Sequence, residues 1–161
     1  MNIVYQVAAI TNLDILMEFV KEFHEFEKLP FDERIDRDVV ERIITDSSLG
    51  RVWLIQLGDE AIGYVVLTLS YSIEYRGRDA FVDELYIRSD YRRQGVGTKT
   101  LQFVEDACRA LDVKALHLEV GKINTKAQQF YQKAGYEDHE RYLMTKWLSD
   151  LSDYCTALLS L

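Results

Sequence analysis

The stretch "DAFVDELYIRSDYRRQGVGTKT", residues 79–100, constrains the fold of this chain more than any other. Its first half, residues 79–89, is rich in apolar and aromatic side chains and reads as a strand. Beyond Gly97, the residues Leu101, Val104, Ala107, Cys108 and Leu111 recur at helical spacing. A strand thus runs through a glycine-bearing turn into an amphipathic helix. Gly95 and Gly97 lie next to Arg92 and Arg93, and glycine lets backbone N–H groups turn toward an anion with no Cβ in the way. The turn therefore suits a phosphate. The P-loop spacing fails, because no glycine stands five residues before Thr98, and the dinucleotide spacing fails because Thr100 stands where a third glycine belongs. A plain turn with solvated arginines and a cradle for some other phosphate both remain open on these residues alone.

The rest of the chain supplies partners for this unit. Residues 2–9 read as a strand, and Thr11 then serves as N-cap of a helix with Leu13, Leu16, Met17 and Val20 on one face. Pro30 is expected to end that helix. Asp36 or Asp38 is expected to cap a second one bearing Val39, Val40, Ile43 and Ile44, closed by Gly50. "RVWLIQLGDEAIGYVVLTLSYS" reads as two strands joined at Gly58-Asp59, displaced somewhat from a strict two-residue hairpin. After the long helix come a strand "VKALHLEV", a short helix "NTKAQQFYQKAG" and a last strand "YLMTKWL". The order β-α-α-β-β-β-α-β-α-β predicts an α/β layer architecture, a mixed sheet with helices on both faces. Residues 1–148 are expected to form one domain. Residues 149–161, with Leu151, Tyr154, Cys155, Leu158 and Leu159 near helical spacing, form a tail that packs either on the domain or on a second subunit.

With 161 residues, one proline and no low-complexity run, the chain has the composition of a single fully folded domain. A net charge of −8 argues against nucleic acid, which needs a basic face. Two distant cysteines, Cys108 and Cys155, suggest neither a disulfide framework nor a metal site. No stretch has the pattern of a signal peptide or the length of a membrane span, so a soluble cytoplasmic protein is the expectation.

At this point the chain resembles the GNAT superfamily of acetyl-CoA-dependent N-acetyltransferases over nearly its whole length, most strongly from 82 to 136. That family's pyrophosphate signature, [QR]-x-x-G-x-[GA], stands here as Arg92-Arg93-Gln94-Gly95-Val96-Gly97, preceded by the acidic and apolar "VDELYI". A second signature, N-x-x-A-x-x-F-Y-x-x-x-G-[FY], stands as Asn124, Ala127, Phe130, Tyr131, Gly135 and Tyr136. The resemblance implies the acyl-CoA N-acyltransferase fold, a splayed mixed sheet in which the pantetheine arm enters a gap beside the strand before the turn. By position it implies that backbone N–H groups from Arg93 to Thr98, Val96 included, hold the coenzyme A pyrophosphate, with added charge from Arg92 or Arg93. It also implies main-chain contacts from Leu85, Tyr86 and Ile87 on one side and from His117, Leu118 and Glu119 on the other. A substituent at Gly95 or Gly97 is expected to displace the phosphate.

The implied reaction is acetyl transfer from acetyl-CoA to a primary amine, by direct attack in a ternary complex and with no metal. It needs a polarised carbonyl, a base for the amine and an acid for the thiolate. A backbone N–H near Tyr86 or Ile87 polarises the carbonyl, and Tyr131 occupies the family's general-acid position. The base is Glu84 or Asp83. Neighbours on a regular strand point to opposite faces, so only one is expected to see the cleft, and Glu84 has the longer reach. His24, His117 and His139 are expected to play structural or surface parts. The acceptor pocket falls to the first two helices, where Glu22, Glu25, Glu27, Asp32 and Glu33 suit a small cationic amine, and Tyr71 and Tyr75 are candidates to line it. A protein N-terminal or lysine acetyltransferase and a non-catalytic coenzyme A sensor are the alternatives. A homodimer is expected from family habit and the apolar tail.

Overall fold

The structure, a computed structural model, describes residues 2–148. Its sheet has five strands in the order β1-β2-β3-β4-β5: β1 (Ile3–Val7), β2 (Gly50–Leu57), β3 (Glu60–Ser72), β4 (Gly77–Ile87) and β5 (Val113–His117). The first four pair antiparallel, and β5 joins β4 in parallel. The helices are α1 (Leu13–Glu27), α2 (Glu33–Thr45), α3 (Val96–Ala110) and α4 (Thr125–Lys133).

Alternation along the strands gives the sheet two apolar faces. Leu16, Phe19 and Val20 of α1 bury against Val52, Leu54, Tyr64, Val66 and Tyr86, and α2 adds Val40, Ile43 and Ile44 at the edge of that cluster. Val104 and Cys108 of α3 bury on the other face against Trp53, Val65, Leu67, Ala80 and Val82. Burying a side chain of this size contributes roughly 1.5–3 kcal/mol, so these two layers hold β4 firmly from both sides. Val39, which shares the α2 pattern, faces out at 62% exposure.

Several element ends differ from the sequence reading. α1 stops before Pro30, at Lys28, whose left-handed conformation (φ 57°) closes the helix with an N–H bond to the His24 and Glu25 carbonyls. Its N-terminus follows a 3-10 turn, so Asn12 and not Thr11 stands at the cap. Asp32 caps α2, accepting from the Arg34 and Ile35 N–H groups, and Asp36 one turn later accepts from the Asp32 N–H at 2.8 Å. α2 ends at Thr45, and Gly50 opens β2 instead of closing the helix: a Cβ there would stand 2.1 Å from the Leu67 carbonyl oxygen. The Gly58-Asp59 hairpin is strictly two residues long, with Leu57 paired to Glu60. The displacement is a separate bulge between Ile55 and Gln56.

The largest difference lies at 142–148, which forms no strand. Tyr142, Leu143, Met144 and Leu148 are 72–91% exposed. Strand propensity expresses itself only on a half-buried surface with a neighbour to pair with, and no described strand pairs with this segment. The expected apolar tail at 149–161 lies outside the described residues. Among those described, no helix is long and apolar enough to cross a membrane.

Candidate active site

The sheet forks beside β4. β4 and β5 pair from Arg78↔Val113 to Phe81↔His117 and no further. Leu85, Tyr86 and Ile87 keep their β3 partners Val65, Tyr64 and Gly63, while Leu118 and Glu119 run on past β5 without joining the sheet. The outer edge of β4 therefore offers main-chain groups that no β5 residue meets.

The cause is visible in the register. Val66 pairs with Glu84 and Leu67 with Val82, which leaves Asp83 as an extra residue in β4, a bulge just past the last β4–β5 pair. A bulge bends its strand and sharpens the local twist, so β4 turns away from β5 here. It also resets the alternation. Val82 and Leu85 both pack in the α3-side cluster, whereas Glu84 meets α1 and Tyr86 joins the α1-side core. Asp83 is the extra residue between Val82 and Glu84, and its carboxyl lies close enough to Glu84 and Glu119 to feel both charges. The expectation that Asp83 and Glu84 point to opposite faces assumed an unbroken period of two, and the bulge interrupts that period at Asp83.

The two carboxylates meet different surroundings. Glu84 Oε2 accepts from the Tyr64 hydroxyl at 2.5 Å, and Glu84 Oε1 lies 3.2 Å from His24 Nε2. His24 is 6% exposed, so the surface role expected for it is also corrected. It sits in the last turns of α1 with Nδ1 2.9 Å from the Pro30 carbonyl oxygen. Burial opposes its charged form, but the bond to Glu84, the Glu84 charge, the Pro30 carbonyl and the charge of Asp36 together carry its pKa above the ordinary value. Asp83 receives no hydrogen bond from a described residue. Although its surface is open to solvent, the protein atoms crowding its carboxyl raise its pKa, and the charges of Glu84 and Glu119 raise it further.

At the closed end of the fork a second polar group lies on β3, β4 and β5. Asp79, 7% exposed, accepts from the Ser70 hydroxyl at 2.7 Å and lies 3.5 Å from His117 Nε2. The Tyr75 and Phe81 rings flank the His117 ring at 4.6 and 5.2 Å. Of the two tyrosines expected near the acceptor, Tyr75 is thus at the fork, while Tyr71 is 82% exposed. The acidic helix residues are largely engaged elsewhere. Glu22 pairs with Arg88 at 2.8 Å, Asp32 caps α2 and Glu33 pairs with Arg37 at 2.9 Å. His24, Tyr64 and Asp79 went unmarked as site residues because their roles depend on which strands meet. The one local signal was three acids, Asp79, Asp83 and Glu84, within a largely apolar strand.

The glycine turn lies at the open end of β4. Arg93 (φ 61°) and Gly95 (φ 80°) both adopt left-handed conformations, and Gly95 stands at the N-cap of α3. The first helical bond runs from the Lys99 N–H to the Gly95 carbonyl. The N–H groups of Val96, Gly97 and Thr98 precede that ladder and face outward from a helix start, where the backbone carries partial positive charge. Of the two arginines, Arg93 is exposed at the turn. Arg92 turns back instead: its Nε donates to the Ile87 carbonyl at 2.6 Å, and its guanidinium lies 4.4 Å from the Phe26 ring centre and 5.4 Å from that of Tyr86. Gln94 donates to the Asp90 carbonyl at 2.8 Å. Gly97 has a packing reason as well, since a Cβ there would come within 3.3 Å of the Phe130 ring.

α4 therefore rests beside the start of α3. Asn124 caps it, its side chain accepting from the Ala127 N–H at 3.1 Å. Tyr131 packs against Phe130 and Tyr136, and burial, followed by the charge of Glu27, raises its pKa, so that its phenol is a proton donor at neutral pH. The arrangement as a whole offers an anion-binding helix start, an open strand edge leading away from it, and carboxylates where that edge leaves β5.

The model of the acetyltransferase (GNAT) family matches residues 13–136. Among curated proteins, the thialysine N-epsilon-acetyltransferase of Mus musculus is 25% identical over 138 residues, covering 76% of this chain and 77% of that protein. The Bos taurus protein of the same name is 30% identical over 81 residues, half of this chain, and the chain spans about half of its length, 47%. Among solved structures, integron cassette protein HFX_CASS3 from the mobile metagenome of Cole Harbour Salt Marsh is 32% identical with a TM-score of 0.81, each chain covered to 90%. A predicted acetyltransferase of Clostridium acetobutylicum, solved with acetyl-CoA, has a TM-score of 0.75 at 14% identity, covering 90% of this chain and 96% of that one.

Proposed function

The chain belongs to the acetyltransferase (GNAT) family, and from that premise we propose that it moves an acetyl group from acetyl-CoA to a primary amine of a small cationic acceptor. The observation that carries this reading is the bulge at Asp83, which sets two carboxylates within reach of each other's charge beside the open edge of β4.

The N–H groups of Val96, Gly97 and Thr98 receive the pyrophosphate, with Arg93 as the nearer cation, since Arg92 is committed to Ile87 and two rings. The free edge from Leu85 to Ile87 pairs with the pantetheine arm, opposite Leu118 and Glu119, and presents a backbone N–H to the acetyl carbonyl. That N–H stabilises charge only as the carbonyl oxygen becomes an oxyanion, which makes it a transition-state contact. The amine nitrogen bonds to the carbonyl carbon, the C–S bond breaks, and one proton leaves the nitrogen while one joins the sulfur. Asp83 takes the first proton, directly or through water. Its raised pKa makes it a stronger base than an ordinary aspartate, and no bond to a described residue must break first. Tyr131 supplies the second proton. Glu84, bonded to Tyr64 and 3.2 Å from His24, stands with Asp79 and Glu119 at the fork, where the three carboxylates attract a cationic acceptor. An amine acceptor agrees with the lysine-like substrate named in the thialysine enzymes.

The direct test incubates the full chain with acetyl-CoA and a panel of amines while free thiol release is followed. Release with di- and polyamines or lysine-like compounds, and little with neutral amines, is the expected result. Tight coenzyme A binding with no turnover on any amine would mark a sensor instead. Tyr131→Phe is expected to slow thiol release by about tenfold or more with acetyl-CoA affinity unchanged; a wild-type rate removes Tyr131 as the acid.

A further inference from the structure

We propose that His24, as an imidazolium, is a positioning residue that clamps the Glu84 carboxylate at the fork. The argument begins with hydrogen-bond chemistry. Nδ1 faces the Pro30 carbonyl oxygen at 2.9 Å, and a carbonyl only accepts, so Nδ1 carries a hydrogen. Nε2 faces Glu84 Oε1 at 3.2 Å, while the other Glu84 oxygen already accepts from Tyr64. A neutral ring with its hydrogen on Nδ1 would set a bare nitrogen lone pair against a carboxylate oxygen. One proton therefore lies between Nε2 and Oε1, and the charged surroundings put it on the ring.

Three elements favour that cation. Glu84 faces it from β4, with Tyr64 of β3 as the second partner of that carboxylate, and Asp36 faces it from α2. His24 also lies in the last turn of α1, where the helix dipole favours positive charge. The rings of Phe23 and Phe31, each 6.1 Å from the imidazole, pack around it and leave it buried.

The same geometry excludes a proton relay. A relay needs a second nitrogen that can pass a proton onward, and the Pro30 carbonyl cannot take one. His24 holds Glu84 and does not exchange protons with the acceptor. It ties the α1–α2 connection to the bulged strand, so the position of one catalytic-face carboxylate is set by a helix distant in sequence. The sign follows: the clamp is complete below the pKa of His24 and opens as pH rises through it, when Nε2 loses its hydrogen.

The kinetic consequence rests on the acetyltransferase reading, but the protonation state does not, so two measurements separate them. Nitrogen-15 NMR of the imidazole rings in the full chain, without ligand, is expected to show both His24 nitrogens protonated, with a midpoint above the ordinary value of about 6.5. His24→Gln assigns the signals, and Glu84→Gln is expected to lower the midpoint. A His24 ring that is neutral at pH 6, or a midpoint indifferent to Glu84→Gln, overturns the clamp whether or not the protein is an enzyme. In kinetics, His24→Gln keeps a donor toward Glu84 that does not titrate. It is expected to hold the acceptor kcat/KM within about threefold of wild type at pH 6.5 and to abolish the alkaline decline that deprotonation causes. His24→Ala is expected to raise acceptor KM about tenfold with the KM of acetyl-CoA unchanged, as the loss of one charge-assisted bond predicts. A His24→Gln variant that retains the wild-type alkaline decline overturns the positioning role, and because that variant preserves the buried bonds, the result does not depend on whether His24→Ala folds.

Discussion

Two acidic regions of this protein have similar composition and opposite fates. The helical stretch from Glu22 to Asp38 is rich in carboxylates, yet three of those expected at the acceptor serve structure: Glu22 holds Arg88, Asp32 caps α2, and Glu33 pairs with Arg37. β4 carries only Asp79, Asp83 and Glu84, and there two of them stand at a bulge beside the fork, with the third buried on Ser70. Acidity alone therefore says little about where a cation binds. A carboxylate on a helix surface, paired in water, contributes a few tenths of a kcal/mol, whereas one crowded by protein and other charges changes its chemistry.

The sharpest way to break this comparison is Asp83→Asn. Loss of the base is expected to cut turnover about 10²–10⁴-fold while coenzyme A still binds, measured by thiol release and by equilibrium titration. Retained turnover would return the role to Glu84. The next effect is smaller: Gly97→Leu, which drives a side chain into the Phe130 ring and the helix mouth, is expected to weaken coenzyme A binding about tenfold or more, and unaltered affinity would remove the turn as the anion site. Asp83→Asn should also raise the thermal midpoint at pH 7. A carboxyl whose pKa is raised on folding binds its proton more tightly in the native state, so its charge opposes folding above that pKa, and the amide removes the opposition. The acid limb of kcat/KM should correspondingly lie above the usual aspartate range near 3.9. A lower melting point for the variant would mean the carboxyl is held by a partner after all. The smallest effect belongs to the helices: Glu33→Gln is expected to change turnover less than about twofold and stability by under about 0.5 kcal/mol. A large loss there would move the acceptor site back to α1 and α2.

Much of the fold was legible because burial imposes a period. The apolar runs and turn residues marked β2 to β4, the 3.6-residue repeat marked α1 and α3 and their buried faces, and the two signatures marked the family. Helix ends were less legible. Asp32, Asp36 and Asp38 are all competent caps, and only the path from Lys28 to Asp32 selects among them. The strand expected at 142–148 failed for a related reason, since its apolar pattern needs a neighbouring edge and the pattern does not name one.

At the site the division is the same. The sequence by itself determined the glycine turn, its place between strand and helix, and the residues available for chemistry, because those depend on local backbone freedom and on side-chain identity. Tertiary structure alone decided that β4 bulges at Asp83, that Arg92 turns inward, and that His24 reaches across 60 residues to hold Glu84. A bulge is a mismatch between two strands and a hydrogen bond joins two distant segments, so neither is a property of any one stretch of chain.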